Sequence, residues 1–128
     1  MSEIVFKGTV FSGTGEGQKF IDLPWVKRQI QEKLGFTPYS GTLNIHLTEE
    51  SVKQKKDLEN VKQLEIYPEK GYCIGKLIKA HIDSVEGAVI IPQIPNYPSD
   101  ILEVIAPWYL RERLKITDGS EVAVTFNV

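Results

Sequence analysis

Apolar and polar positions alternate from Ile4 to Phe11, with Ile4, Phe6, Gly8 and Val10 on one side and Val5, Lys7 and Thr9 on the other. A period of two is that of a strand with one covered face. Residues 42–47 alternate in the same way, and 64–67, 71–82, 87–91 and 121–126 also read as strands, with Gly75 marking a bend or bulge. Between 24 and 34 the period lengthens. Trp25, Val26, Ile30 and Leu34 fall on one helical stripe, and Lys27, Arg28, Gln31 and Glu32 fall outside it. Asp22 is placed to cap this helix, Pro24 suits its first turn and Gly35 its end, so a helix is predicted from Pro24 to Leu34. Ser99 or Asp100 starts a second helix carrying Ile101, Leu102 and Ile105. Pro107 interrupts it, and a short helix continues from Trp108 to Leu114. The charge-rich stretch 48–63 reads as a solvated loop with a helical turn. Residues 93–98, with two prolines, form a loop, and Thr117 to Ser120 form a turn. About six strands with two or three helices, and no regular β–α alternation, argue against a doubly wound parallel sheet. The pattern fits a mainly β protein, a small closed β-barrel with inserted short helices.

Length and composition narrow the picture further. The chain has 128 residues, which makes residues 1–128 a single domain large enough to fold without a disulfide or structural metal. Its net charge is −2, which argues against a nucleic-acid partner. Cys73 is the one cysteine, so an intrachain disulfide is excluded; it reads as a small buried hydrophobe in a strand. One cysteine and two separated histidines, His46 and His81, cannot build a zinc site, and both histidines read as structural residues at apolar strand positions. There is no basic-then-apolar leader pattern and no run of membrane-spanning length. A cytoplasmic monomer with no membrane partner is the expectation.

The chemistry concentrates in two short segments. Gly13-Thr14-Gly15-Glu16-Gly17-Gln18 follows the first strand. Without Cβ atoms such a backbone can turn sharply and aim several N–H groups at one anion, as a phosphate cradle does, although a plain strand-to-helix connection has the same composition. Glu16 is out of place against a phosphate; it either points away or helps hold a metal through water. Farther on, Thr42 and Asn44 are two residues apart, so on a strand their oxygens share a face. Neutral oxygens beside a phosphate cradle suit a hard, hydrated ion such as Mg²⁺; taken alone, they also suit a hydrogen-bonded turn.

The glycine segment, Leu34-Gly35-Phe36-Thr37-Pro38-Tyr39, Gly41-Thr42-Leu43-Asn44, the tail Leu102 to Pro107, Leu110-Arg111 and Asp118 to Val122 together resemble the archaeal-type riboflavin kinases that use CTP. The resemblance runs from Phe6 to Val124. It implies a six-stranded cradle-loop barrel related to the RIFT fold. It also implies Mg²⁺-dependent transfer of the γ-phosphate of CTP to the 5′-hydroxyl of riboflavin, giving FMN and CDP. By the same resemblance, Gly13, Thr14, Gly15, Glu16, Gly17 and Gln18 wrap the nucleotide phosphates, and Thr42 and Asn44 hold the metal. Trp108, Tyr109, Leu110 and Arg111 contact the cytosine nucleotide. Trp108 and Tyr109 also suit a core, and Arg111 suits a phosphate. Glu103, expected on a helix, either hydrogen-bonds the flavin or acts as general base, with Asp100 the rival base. Two positions depart from the family pattern. Ser40 replaces a proline, and Pro95 occupies the position of a flavin-contacting threonine, although proline offers neither a side-chain nor a backbone donor there. A non-catalytic flavin- or nucleotide-binding sensor on the same barrel is the alternative.

Overall fold

The computed structural model describes residues 2–69, 71 and 74–128. The strand expected at Cys73 lies outside the described residues. Seven strands are present among them: β1 (Glu3–Phe11), β2 (Leu43–Leu47), β3 (Leu64–Ile66), β4 (Gly75–Ile82), β5 (Val85–Pro92), β6 (Ile101–Ile105) and β7 (Glu121–Asn127). The helices are α1 (Glu16–Ile21), α2 (Pro24–Leu34), α3 (Glu49–Gln54) and α4 (Leu110–Leu114), and a 3₁₀ segment covers Lys55–Asn60. All strand pairings are antiparallel. The order β4-β5-β6-β2-β1-β7 closes on itself through a β4–β7 pairing, and β3 adds to the free stretch of β4. The result is a closed six-stranded barrel with short helices on its outside. No helix among the described residues is long and apolar enough to cross a membrane.

Period-two alternation fills the barrel. Phe6 and Val10 of β1, Leu43 and Ile45 of β2, and Val124 and Phe126 of β7 point inward and are buried. Phe6 and Phe126 meet edge to face, with ring centres 5.3 Å apart. A second apolar cluster lies outside the wall. There Trp25, Val26 and Ile30 of α2 cover Leu77, Ile90 and Ile105 on β4, β5 and β6. These strands are apolar on both faces because both faces are covered.

That double cover explains a correction. Ile101 to Ile105 form strand β6, not a helix. Leu102 and Val104 face the barrel interior, while Ile105 faces the α2 layer. A five-residue run with four apolar positions fits either period, and pairing with β2 and β5 decides it. The barrel therefore has the expected number of strands with a different membership: β6 is in the ring and β3 is not.

Other boundaries move for local reasons. Helix α2 has the predicted span, with Pro24 in its first turn and Gly35 at its end in the left-handed region, φ 80°. Its N-cap is Leu23; Asp22 instead ends the preceding helix α1. The charged stretch 48–63 is more ordered than a solvated loop. Thr48 caps α3 by accepting from the Ser51 N–H, and Ser51 accepts from the Lys7 N–H at 2.8 Å, which ties the segment to β1. Leu58 and Val61 are buried beneath its charges. His46 is also not at an apolar position: it faces outward and lies 2.7 Å from the Asp100 carboxylate.

Candidate active site

The site lies on the outer face of the barrel, where α1 crosses β2 and β6. Asn44 and Glu103 are direct cross-strand partners, and Phe11, at the end of β1, is opposite Asn44 on its other side. The glycine segment leaves β1 at this row. Register thus sets Glu103, about sixty residues away in the chain, beside Asn44 and its near neighbour Thr42.

The glycines fit this row closely. A Cβ on Gly13 would collide with the Asn44 side-chain amide. One on Gly17 would collide with the Thr42 hydroxyl and come within 2.8 Å of Glu103 Oε1. Gly15 turns the chain at φ 89° and precedes α1. The segment is thus half loop and half helix: Glu16, Gly17 and Gln18 form the first turn of α1. Glu16 points to solvent, 3.7 Å from Lys19. Gln18 donates to Ser40 Oγ at 3.3 Å and ties the turn to the approach of β2.

Thr42 Oγ1 lies 3.0 Å from Asn44 Oδ1 and 3.3 Å from Glu103 Oε1. The Tyr97 hydroxyl donates to the other carboxylate oxygen, Oε2, at 2.5 Å. Burial, then the bond to Glu103, push the Tyr97 phenol far above the usual tyrosine range, so it keeps its proton at any working pH. Among the described residues no three His, Cys, Asp or Glu side chains gather into a metal site. The oxygens of Thr42 and Asn44, with the Glu103 carboxylate beside them, are hard donors that fit Mg²⁺ with water or phosphate completing its shell.

Two clefts meet at these residues. The larger, about 580 Å³, runs from the glycine segment past Gly41, Thr42 and Asn44 to Arg111. The second, about 330 Å³, is walled by Phe20, Ile90, Pro92 and Ile94. Thr42, Tyr97 and Glu103 line both. Arg111 donates to Asp118 at 2.7 Å and to the Phe11 carbonyl at 3.4 Å. Ser12 also bonds Asp118, at 2.8 Å, and these two donors hold the Asp118 carboxyl below the usual carboxylate range.

Beyond Arg111, Tyr109 stacks on Tyr39 with ring centres 5.1 Å apart and planes at 21°, and Trp108 carries the Arg113 guanidinium over its face. These aromatic rings are partly exposed and border a small hollow next to Ser40 and Arg111. Leu110 differs from its neighbours: its side chain is buried in the barrel core. Pro95 is exposed on its loop, and it is Ile94, Tyr97 and Pro98 from that loop that reach the large cleft. Asp100 is engaged with His46 and is not among the residues lining either cleft.

Sequence reasoning did not single out Tyr97, Tyr39 or the apolar wall of Phe20, Ile90 and Ile94. An aromatic residue in a proline-bounded loop six positions before Glu103 was the one available signal for Tyr97.

The family model of the CTP-dependent riboflavin kinase domain, described as a domain of unknown function, DUF120, matches residues 10–126. The chain belongs to this family. It is 41% identical over 125 residues to a riboflavin kinase of Archaeoglobus fulgidus, covering 94% of this chain and 54% of that protein. A riboflavin kinase of Methanosarcina barkeri is 38% identical over 122 residues, covering 92% and 54%, and one of Pyrobaculum islandicum is 40% identical over 128 residues, covering 94% and 59%. The chain therefore spans somewhat more than half the length of these curated relatives. In family terms the matched region holds the glycine segment, the Thr42–Asn44–Glu103 row and Arg111 together.

Proposed function

We propose that this chain phosphorylates riboflavin, moving the γ-phosphoryl group of CTP to the ribityl 5′-hydroxyl to give FMN and CDP, with Mg²⁺. The observation that carries this reading is the meeting of two clefts at Thr42, Tyr97 and Glu103, one lined by the glycine segment and Arg111 and the other walled by apolar side chains. The relatives named riboflavin kinase support the acceptor, and the family name supports CTP.

In this reading the apolar wall of Phe20, Ile90 and Ile94 takes the flavin ring, and the glycine segment takes the triphosphate. The first turn of a helix leaves N–H groups without intrahelical partners, and these suit phosphate oxygens. Arg111 adds a cation at the far wall. The cytosine lies against the Tyr39–Tyr109 and Trp108 side. Thr42 and Asn44 would hold Mg²⁺, which neutralises charge on the phosphates. The 5′-oxygen forms its bond to the γ-phosphorus as the bond to the β-γ bridging oxygen breaks, and CDP departs. Glu103 orients the hydroxyl and accepts its proton at Oε1. Catalysis is then mainly positioning in a site built from rigid strands. The reaction is set in the cytoplasm.

Incubating the purified protein with riboflavin, Mg²⁺ and each nucleoside triphosphate, then separating FMN chromatographically, tests this directly. FMN with CTP and much less with ATP is the expected result. Equal use of both removes the nucleotide assignment. Flavin binding without FMN from any donor makes the protein a flavin-binding module instead.

A further inference from the structure

Glu103 sits on β6 between Asn44 of β2 and Ile90 of β5, so its carboxylate stands between an amide and an apolar side chain. Its two oxygens are not equivalent. Oε1 faces Thr42 and Gly17 at the junction of the clefts. Oε2 is bonded by the Tyr97 hydroxyl. The Thr42 hydroxyl has one proton for two neighbouring acceptors, so it does not by itself fix the carboxylate plane. The phenol is a donor on a ring with few rotatable bonds.

Tyr97 is itself held. Its loop is anchored at one end by the Gln93 N–H on the Ile74 carbonyl, 2.9 Å, and at the other by the Leu47 N–H on the Asp100 carbonyl, 2.7 Å. Within it the Tyr97 N–H reaches the Ile94 carbonyl, and Asn96 takes a left-handed conformation at φ 62° that reverses the chain. This places the phenol over β6, six residues from the carboxylate it meets.

We propose that Tyr97 is a positioning residue for Glu103: its phenol pins Oε2 and so turns Oε1 toward the point where the acceptor hydroxyl binds. The proposal rests on the reading of this site as a flavin-alcohol site. It adds a residue that acts through Glu103 rather than on the substrate, and it makes the 93–100 loop part of the catalytic apparatus.

A double-variant cycle tests it, with Tyr97→Phe, Glu103→Gln and the pair, each checked by thermal unfolding for an intact fold. Tyr97→Phe keeps the ring and removes only the donor. With both substrates saturating, it lowers kcat about tenfold, the worth of one hydrogen bond to a charged group, and leaves the riboflavin KM within about threefold. Glu103→Gln lowers kcat by about 10²–10⁴-fold. The pair is then no slower than Glu103→Gln alone, because Tyr97 has nothing left to position. A phenylalanine variant as fast as wild type, or a pair whose loss is the product of the two single losses, overturns the proposal and leaves the kinase reading standing. If wild type binds riboflavin but makes no FMN, the kinase reading falls. The same cycle is then read on riboflavin affinity by quenching of flavin fluorescence. Non-additive losses there uphold the positioning role, and additive ones end it. A wild type that neither turns over nor binds riboflavin overturns both.

Discussion

Gly13 and Gly17 are defined less by their own flexibility than by what stands against them. Each leaves room for neighbouring polar side chains: Asn44 of β2 in one case, Thr42 just before β2 and Glu103 of β6 in the other. The glycine spacing was legible in the sequence, and so was the pairing of Thr42 with Asn44 on one strand face. Their convergence on Glu103 was not, because it depends on a register between strands almost sixty residues apart. Thr42→Ala and Asn44→Ala test the metal assignment at this scale. Each removes one oxygen at a half-exposed site, so each is expected to change unfolding free energy by less than about 1 kcal/mol. FMN formation at limiting Mg²⁺ should fall by more than about tenfold in each. Near-normal turnover in either, measured over a Mg²⁺ titration, removes that residue from the metal site.

Among the elements, α2 and β6 show opposite outcomes of the same reasoning. Helix α2 is long enough for its period to be unambiguous, and its polar face confirms the direction of its apolar one. Strand β6 has five residues, four of them apolar, so its periodicity carries no information. The two elements are joined through packing, since Ile30 of α2 lies in the cluster that covers Ile105 of β6 and Ile90 of β5. Ile30 is fully buried. Ile30→Ala should therefore cost about 2–5 kcal/mol, from lost burial and an unfilled cavity. Urea denaturation measures it. A loss below about 1 kcal/mol would mean that the helix layer contributes little to holding the outer wall.

For the whole molecule, closure of the barrel brings the first and last parts of the chain together beside the site. Ser12 after β1, Arg111 on α4 and Asp118 in the turn before β7 meet in one hydrogen-bonded group at the rim of the large cleft. Arg111 also bonds the Phe11 carbonyl, so this group links the start of the glycine segment to the last third of the chain. The Asp118 carboxyl is held below its ordinary value of 3.8 in the folded state, first by Ser12 and then by Arg111. A depressed folded value stabilises the fold above the unfolded value, and that contribution is lost as pH falls through the folded value. The stability difference between wild type and Asp118→Asn should thus be constant from neutral pH down to about 4 and shrink below it. Thermal unfolding between pH 7 and pH 2.5 checks this. A difference that persists undiminished at the acid end would show that Asp118 acts through packing rather than charge.

What the sequence determined by itself was local. The strands with one covered face, the span of α2 and the glycine segment all follow from periods and conformational preferences that neighbouring residues impose on one another. The resemblance across the chain added an expectation of which residues form the site, and the family match bears out the family itself. What the tertiary structure decided was everything that depends on pairing between distant segments. That includes β6 as a barrel strand, the exposure of His46, the burial of Leu110 and the reach of Tyr97 back to Glu103. The reason is physical. A residue's period reveals which face is covered only where the other face is not. At β6 and in the 93–100 loop, what lies on each side is supplied by parts of the chain that no local window contains.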